Sequence, residues 1–173
     1  MFRSVAFFFI SIFLFPFCVF AREDVRYLRG HAIVEWSAKK RVYRFDQAVV
    51  IKTVNEASFE TLDDFGNTVL RLDFTGGDVM LARHALSLPL SRDEFISYLL
   101  YQLPEQVDGL DAEYDADGRL IGVEKKSKQA GKRYKISFRD FEKKGKILYP
   151  KTIEITSRKG NLKISWRNVE LNI

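Results

Sequence analysis

Apolar and polar residues alternate along most of the chain after residue 26. In the first such segment the apolar positions share one parity: Leu28, Gly30, Ala32, Val34 and Trp36. The same period of two recurs in the segments 70–74, 134–139 and 162–167. Strict alternation gives a strand one dry face and one wet face, which is typical of antiparallel sheet.

Short turn sequences separate these segments and predict hairpins. They carry residues that tolerate a positive φ: Gly66-Asn67, Gly76-Gly77, Asp117-Gly118 and Lys159-Gly160-Asn161. We predict strands near 27–37, 40–53, 57–63, 68–74, 78–82, 107–115, 119–127, 132–141, 150–157 and 161–170.

One segment has helical spacing instead. Ser91 and Glu94 form a capping-box pattern, and the residues Phe95, Leu99 and Leu103 follow at a spacing of four. Pro104 ends the pattern, so we predict a helix over about 91–103 that lays its apolar stripe on the dry face of the sheet.

These elements predict a mainly β fold. A sheet of about ten antiparallel strands curls toward a barrel, so we expect a curved sheet or half-open β-barrel with the helix across its concave face. Such a sheet has room for one small apolar ligand.

The N-terminal segment has the pattern of a secretory signal. Arg3 precedes an apolar run that continues to Phe15, and charged residues follow directly after Ala21. We therefore expect a signal peptide over 1–21 and a folded domain over 22–173, with a retained membrane anchor as the alternative. Cys18 is the single cysteine, either an incidental apolar residue or the lipidated residue of a lipoprotein signal.

Charge limits the class of partner. Of 28 basic and 23 acidic residues only Arg3 lies within 1–21, so the remainder carries 27 against 23, a net charge of +4. Export argues against nucleic acid and favours anionic lipid headgroups or an acidic protein surface. The basic groups at 125–128, 132–133 and 143–146 are either solvated hairpin ends or contacts for anionic lipid.

The chain lacks a convergent set of catalytic residues. Its two histidines, His31 and His84, have no ligand-spaced partners, and Asp63-Asp64 would point to opposite faces of a strand. We therefore predict no catalytic residues, no metal site, no cofactor and no enzymatic activity.

Several segments resemble the bacterial LolA/LolB lipoprotein-localisation family, and more closely its LolB type. The resemblance lies in the strand-turn-strand segment 59–72 with Phe65-Gly66-Asn67 at its turn, in the run from Leu86 to Leu103, in 149–153, and in 162–166. It covers nearly the whole chain after the signal and implies a half-open barrel whose cavity holds acyl chains. The position matching the family's protruding leucine is Phe65, which implies a membrane-contacting tip.

Pattern alone leaves open whether the dry face forms a filled core or a cavity. The resemblance favours an acyl-chain cavity, whose lining we predict to be Val34, Trp36, Phe45, Phe59, Leu70, Leu72, Phe74, Phe95, Leu99, Ile136, Phe138, Ile164 and Trp166.

The function that this implies is a periplasmic or outer-membrane-associated carrier of lipoproteins or other lipids. It would be a monomer that delivers acyl chains to the inner leaflet of the outer membrane, with a periplasmic loading partner. The alternative is an envelope scaffold or sensor of the same fold with a packed interior.

Overall fold

A computed structural model describes residues 25–75, 88–105, 107–126 and 133–172, without the side chains of residues 74 and 75. The predicted signal segment 1–21 and the strand predicted at 78–82 lie outside the described residues. The boundary between signal and domain therefore stays a prediction.

The described residues form nine strands and one helix in chain order. Four strands precede the helix: β1 (Tyr27–Ala38), β2 (Arg41–Thr53), β3 (Glu56–Leu62) and β4 (Thr68–Thr75). The helix α1 spans Arg92–Leu99. Five strands follow it: β5 (Leu110–Tyr114), β6 (Leu120–Lys125), β7 (Tyr134–Lys144), β8 (Ile147–Ser157) and β9 (Gly160–Asn172).

All nine strands belong to one curved antiparallel sheet in the order β4-β3-β2-β1-β9-β8-β7-β6-β5. Neighbouring strands are consecutive in the chain except at the middle of the sheet, where the first described strand, β1, pairs with the last, β9. The edge strands β4 and β5 are not paired with each other, so the sheet does not close. The mainly β, half-open architecture is thus confirmed, with nine strands in the described residues.

Alternation along the strands determines which side chains enter the core. On β1, the apolar parity is buried from Leu28 to Trp36, and the opposite parity is exposed or half-buried. Gly30 allows a close approach at this point, because a Cβ atom there would lie 2.6 Å from the Asn168 carbonyl oxygen and 3.2 Å from the Trp166 ring. The sheet therefore presents one continuous apolar face to α1.

The helix begins where the capping box predicts it. Ser91 Oγ accepts a hydrogen bond from the Glu94 N–H at 3.2 Å, and Glu94 Oε2 accepts one from the Ser91 N–H at 2.7 Å. Ile96, Leu99 and Leu100 are buried against the sheet.

The helix ends at Leu99, four residues before the predicted end at 103. Tyr101 adopts a left-handed conformation with φ 57°, which stops helical hydrogen bonding. Its ring packs against Phe138 and Phe141 at centroid distances of 5.2 and 5.8 Å, and its hydroxyl donates to the Leu120 carbonyl oxygen. Tertiary packing of Tyr101 therefore replaces the last helical turn, and Leu103 is 38% exposed.

Candidate functional site

An apolar cavity of about 60 Å³ lies between α1 and the strands β1–β4 and β9. Nine of its ten lining side chains are apolar. The tenth is Gln47, whose Nε2 donates to Thr61 Oγ1 at 3.4 Å. The lining consists of Val34, Gln47, Val49, Phe59, Leu72, Phe95, Leu99, Leu162, Ile164 and Trp166.

Three lining side chains are half-buried and form what we call the mouth of the cavity: Gln47 on β2, Leu72 on β4 and Phe95 on α1. The other lining residues, such as Val34, Leu99 and Ile164, are almost fully buried. Phe95 contacts the ring of Phe59 at a centroid distance of 6.1 Å. Leu72 and Phe95 are therefore the apolar side chains at the mouth of the cavity.

Seven of the thirteen residues predicted to line a cavity lie at this one: Val34, Phe59, Leu72, Phe95, Leu99, Ile164 and Trp166. The other six lie elsewhere. Trp36, Ile136 and Phe138 are buried in the core away from the cavity, and Phe45 packs partly buried against that core. Leu70 is 48% exposed, and Phe74 pairs with Ala57 through the backbone while its side chain lies outside the described residues. The acyl-binding role of all thirteen stays a prediction.

Three lining residues, Gln47, Val49 and Leu162, were not predicted from the sequence. Gln47 and Val49 share the parity of Phe45 on β2, so extending that alternation by two and four residues would have found them. Leu162 lies on the dry parity of β9 together with Ile164 and Trp166. Gln47 is polar and interrupts the apolar residues of this parity on β2, so a search for apolar alternation does not select it.

A buried polar network holds the N-terminal turn of α1 on the sheet. Glu94 is 4% exposed, and its Oε1 accepts hydrogen bonds from Lys125 Nζ and Tyr134 Oη, both at 2.7 Å. Burial acts to raise the pKa of the Glu94 carboxyl. The hydrogen bonds from Lys125, the Ser91 N–H and Tyr134 outweigh burial and lower the pKa below its usual value.

The same network includes a pair of buried tyrosines. The hydroxyls of Tyr98 and Tyr134 lie 2.9 Å apart. Burial raises the pKa of Tyr98 to about 12, and burial together with the hydrogen bond to Tyr98 raises the pKa of Tyr134 still further. At the other end of α1, the Tyr149 hydroxyl donates to the Leu99 carbonyl oxygen. The helix is thus anchored to the sheet at both ends.

A hydrogen-bonded turn presents Phe65 to solvent between β3 and β4. Asp63 Oδ1 accepts hydrogen bonds from the N–H groups of Phe65 and Asn67 at 2.9 and 2.8 Å. Asn67 Nδ2 donates to the other Asp63 oxygen at 3.1 Å, and these bonds lower the pKa of Asp63. Gly66 supplies the left-handed position at φ 83°. Phe65 itself is 91% exposed.

The histidine and carboxylate side chains of the described residues are dispersed. No group of three or more His, Cys, Asp or Glu side chains in them is arranged to hold a metal ion. None of the helices within these ranges is long and apolar enough to cross a membrane. His31 is exposed on β1, and His84 lies outside the described residues.

Comparison with known proteins identifies the fold. No family model matches the chain, and no curated protein matches it. The structure is similar to that of a LolA superfamily protein from Nitrosomonas europaea, with a TM-score of 0.57 and 8% identity over 88% of this chain and 89% of that one. The fold is LolA-like. It is also similar to an outer membrane lipoprotein-sorting protein domain from Vibrio parahaemolyticus, with a TM-score of 0.52 and 10% identity over 87% of each chain. The closer resemblance to the LolB type stays a prediction.

Proposed function

We propose that this protein is a non-enzymatic carrier that shields the acyl chains of lipoproteins or other lipids in its cavity and delivers them to the outer membrane. The observation that carries this proposal is the apolar cavity beneath α1 in a LolA-like sheet. The structural similarity to the lipoprotein-sorting protein domain from Vibrio parahaemolyticus supports a periplasmic location for this carrier.

The free energy of exposing an acyl chain to water explains why a carrier needs an apolar cavity. Burial of one methylene group is worth about 0.8 kcal/mol, so a chain of about a dozen methylenes exposes on the order of 10 kcal/mol in water. An apolar lining offsets this free energy without directional bonds and therefore accepts different cargo. Release into a bilayer is nearly balanced, because both environments are apolar.

The cavity as it stands accommodates only part of a chain. Its volume of about 60 Å³ takes a few methylene-sized groups, since one water needs roughly 10–15 Å³. A longer chain requires opening at the mouth, where Phe95 and Leu72 are half-buried. Because α1 is anchored through Glu94 and through the Leu99 carbonyl, we expect these side chains to move while the helix stays in place.

Phe65 is the proposed contact with the membrane. Burial of an exposed phenylalanine side chain is worth about 1.5–3 kcal/mol, so insertion of this ring into a bilayer surface would hold the cavity near the acceptor membrane. The hydrogen bonds around Asp63 keep the turn in shape whatever occupies position 65, because they involve backbone groups and Asn67.

Two measurements test the proposal. Mass spectrometry of the protein purified from the cell envelope is expected to show bound acyl lipids. A lipid-free protein that also fails to bind added acyl chains would support the alternative, a scaffold or sensor with a closed interior.

The second measurement is transfer of labelled cargo to vesicles. Phe65→Glu is expected to slow transfer while leaving the melting temperature unchanged. Ala116→Glu adds the same charge in the exposed turn after β5, at the opposite end of the sheet, and serves as the control. Equal transfer by both variants would refute the role of Phe65.

A further inference from the structure

Two basic turns lie side by side at one end of the sheet. The β1–β2 turn contains Lys39 and Lys40, and the β8–β9 turn contains Arg158 and Lys159. The pairing of Ser37 with Asn161 places the two turns next to each other. We call the concave surface between them the two-turn groove.

The two-turn groove is shallow and widely open to solvent. In the described part of the chain, no acidic residue lines the groove. Five of its lining residues are basic: Lys39, Lys40, Arg41, Arg158 and Lys159. Among the described residues, no ion pair involves Lys39, Lys40 or Arg158. These three cations are therefore available to an anionic surface outside the protein.

The backbone of the first turn gives an independent indication. Lys39 and Lys40 have φ values of 45° and 70°, so both central residues of the hairpin are left-handed. Asn-Gly is the sequence that such a turn favours, because a lysine Cβ is strained in this conformation. The fold alone therefore favours other residues here, and strained positions of this kind cluster at functional sites. Local folding therefore does not account for lysine at these two positions.

Exposed apolar side chains surround this end of the sheet. β1 and β3 run in the same direction, so the turn that carries Phe65 projects from the same end as the two-turn groove. Residues 41–45 of β2 extend beyond the end of β3. There, Val42 is 69% and Tyr43 is 46% exposed. A cationic groove beside exposed apolar residues matches a phospholipid surface, which offers anionic headgroups above an apolar interior.

We propose that the two-turn groove binds the headgroups of an anionic phospholipid bilayer and orients the Phe65 end of the sheet toward that membrane. This inference deepens the proposed carrier function by naming how the acceptor membrane is recognised. Electrostatic attraction by the groove brings the protein to the membrane, and apolar contact by Phe65 follows. Binding therefore depends on the anionic fraction of the lipid and weakens with salt.

The test is vesicle flotation with the double variant Lys39→Asn/Lys40→Gly. The variant removes two cations and introduces the residues that the turn conformation favours. We expect affinity for phosphatidylethanolamine vesicles containing phosphatidylglycerol to fall about 25-fold, from roughly fivefold per basic residue. The melting temperature is expected to rise by several degrees, because backbone strain is relieved. A merely structural role of the lysines would not separate binding from stability in this way.

A matched control removes two charges at the opposite end of the sheet. Lys143→Gln/Lys146→Gln alters exposed lysines at the β7–β8 turn and is expected to change affinity less than threefold. Equal loss in both variants would show that net charge alone acts, and would overturn the proposal. Equal binding of wild-type protein to purely zwitterionic vesicles would also overturn it, as would retention of full affinity by the turn variant.

Two further measurements complete the test. The first distinguishes a bilayer from a small anion as the ligand of the groove, and the second distinguishes failure of this proposal from failure of the carrier function. Competition by inorganic phosphate at low concentration would indicate a small-anion site and contradict bilayer binding. Bound acyl lipid, measured by mass spectrometry, is expected to be equal in the wild type and the turn variant. Absence of bound lipid from both proteins, together with failure to bind added acyl chains, would refute the carrier function, while the vesicle result would still decide the role of the groove.

Discussion

Filling the cavity beneath α1 should stabilise the protein and weaken its binding of acyl chains. Val34 and Val49 both line the cavity, and Val34→Ile/Val49→Ile adds one methylene at each position without losing β-branching. An empty cavity costs about 24 cal/mol per Å³. The volume of 60 Å³ then corresponds to about 1.4 kcal/mol. Burial of two methylenes at about 0.8 kcal/mol each gives a similar gain of about 1.6 kcal/mol.

The same two methylenes occupy space that an acyl chain would fill. We therefore expect affinity for a fluorescent fatty acid to fall about tenfold, the equivalent of about 1.4 kcal/mol. Chemical denaturation measures the gain in stability, and fluorescence titration measures the loss of binding.

A control makes the same chemical change where no cavity lies. Val123→Ile on β6 adds a methylene at a residue that is 1% exposed and does not line the cavity. Overpacking there is expected to destabilise the protein by about 1 kcal/mol and to leave fatty-acid affinity unchanged. If the cavity-filling variant is stabilised but binds fatty acid as tightly as the wild type, the cavity is not the binding site.

Further predictions concern the anchoring of the helix and the approach of β1 to β9. Glu94→Gln should lower the free energy of unfolding by about 3 kcal/mol at neutral pH, because it leaves the charge of Lys125 without its buried partner. Since the pKa of Glu94 is lowered by folding, its stabilisation is complete above the unfolded value of about 4.3 and is lost as the pH falls further. Denaturation curves at pH 7 and pH 3 should therefore differ less for the variant than for the wild type. Burial raises the pKa of Tyr98 to about 12. The neutral Tyr98 hydroxyl therefore stabilises the fold fully below pH ~10, and this stabilisation is lost as the pH rises through 12. Tyrosinate absorbance during alkaline unfolding measures this loss. Gly30→Ala would place a Cβ atom 2.6 Å from the Asn168 carbonyl oxygen and should cost about 1–3 kcal/mol in a thermal melt.

Several strands were predictable because they carry a periodic signal of their own. On β1 and β9 the buried residues are those that alternation selects, and the Ser91–Glu94 capping box fixes the start of α1. The end of α1 was not predictable from local sequence. Tyr101 leaves the helix to pack its ring against β7, and this contact spans nearly forty residues of chain.

The cavity was only partly predictable for a related physical reason. Alternation identifies which face of a strand is dry, but it does not determine whether facing side chains meet across the interior. Phe138 and Ile164 share the dry face of the sheet, yet only Ile164 lines the cavity. Phe138 instead packs against Tyr101. The difference depends on where the helix lies, which is a long-range property of the fold.

Quenching of Trp166 by a brominated acyl chain tests the central claim most directly. Trp166 lines the cavity, and Trp36→Phe leaves it as the single tryptophan of the chain. Bromine quenches indole fluorescence only at short range, so a chain in the cavity should reduce the Trp166 emission to a saturable limit, whereas the unbrominated chain should not. Unchanged emission at a concentration where the chain is bound would place the lipid elsewhere and contradict the account.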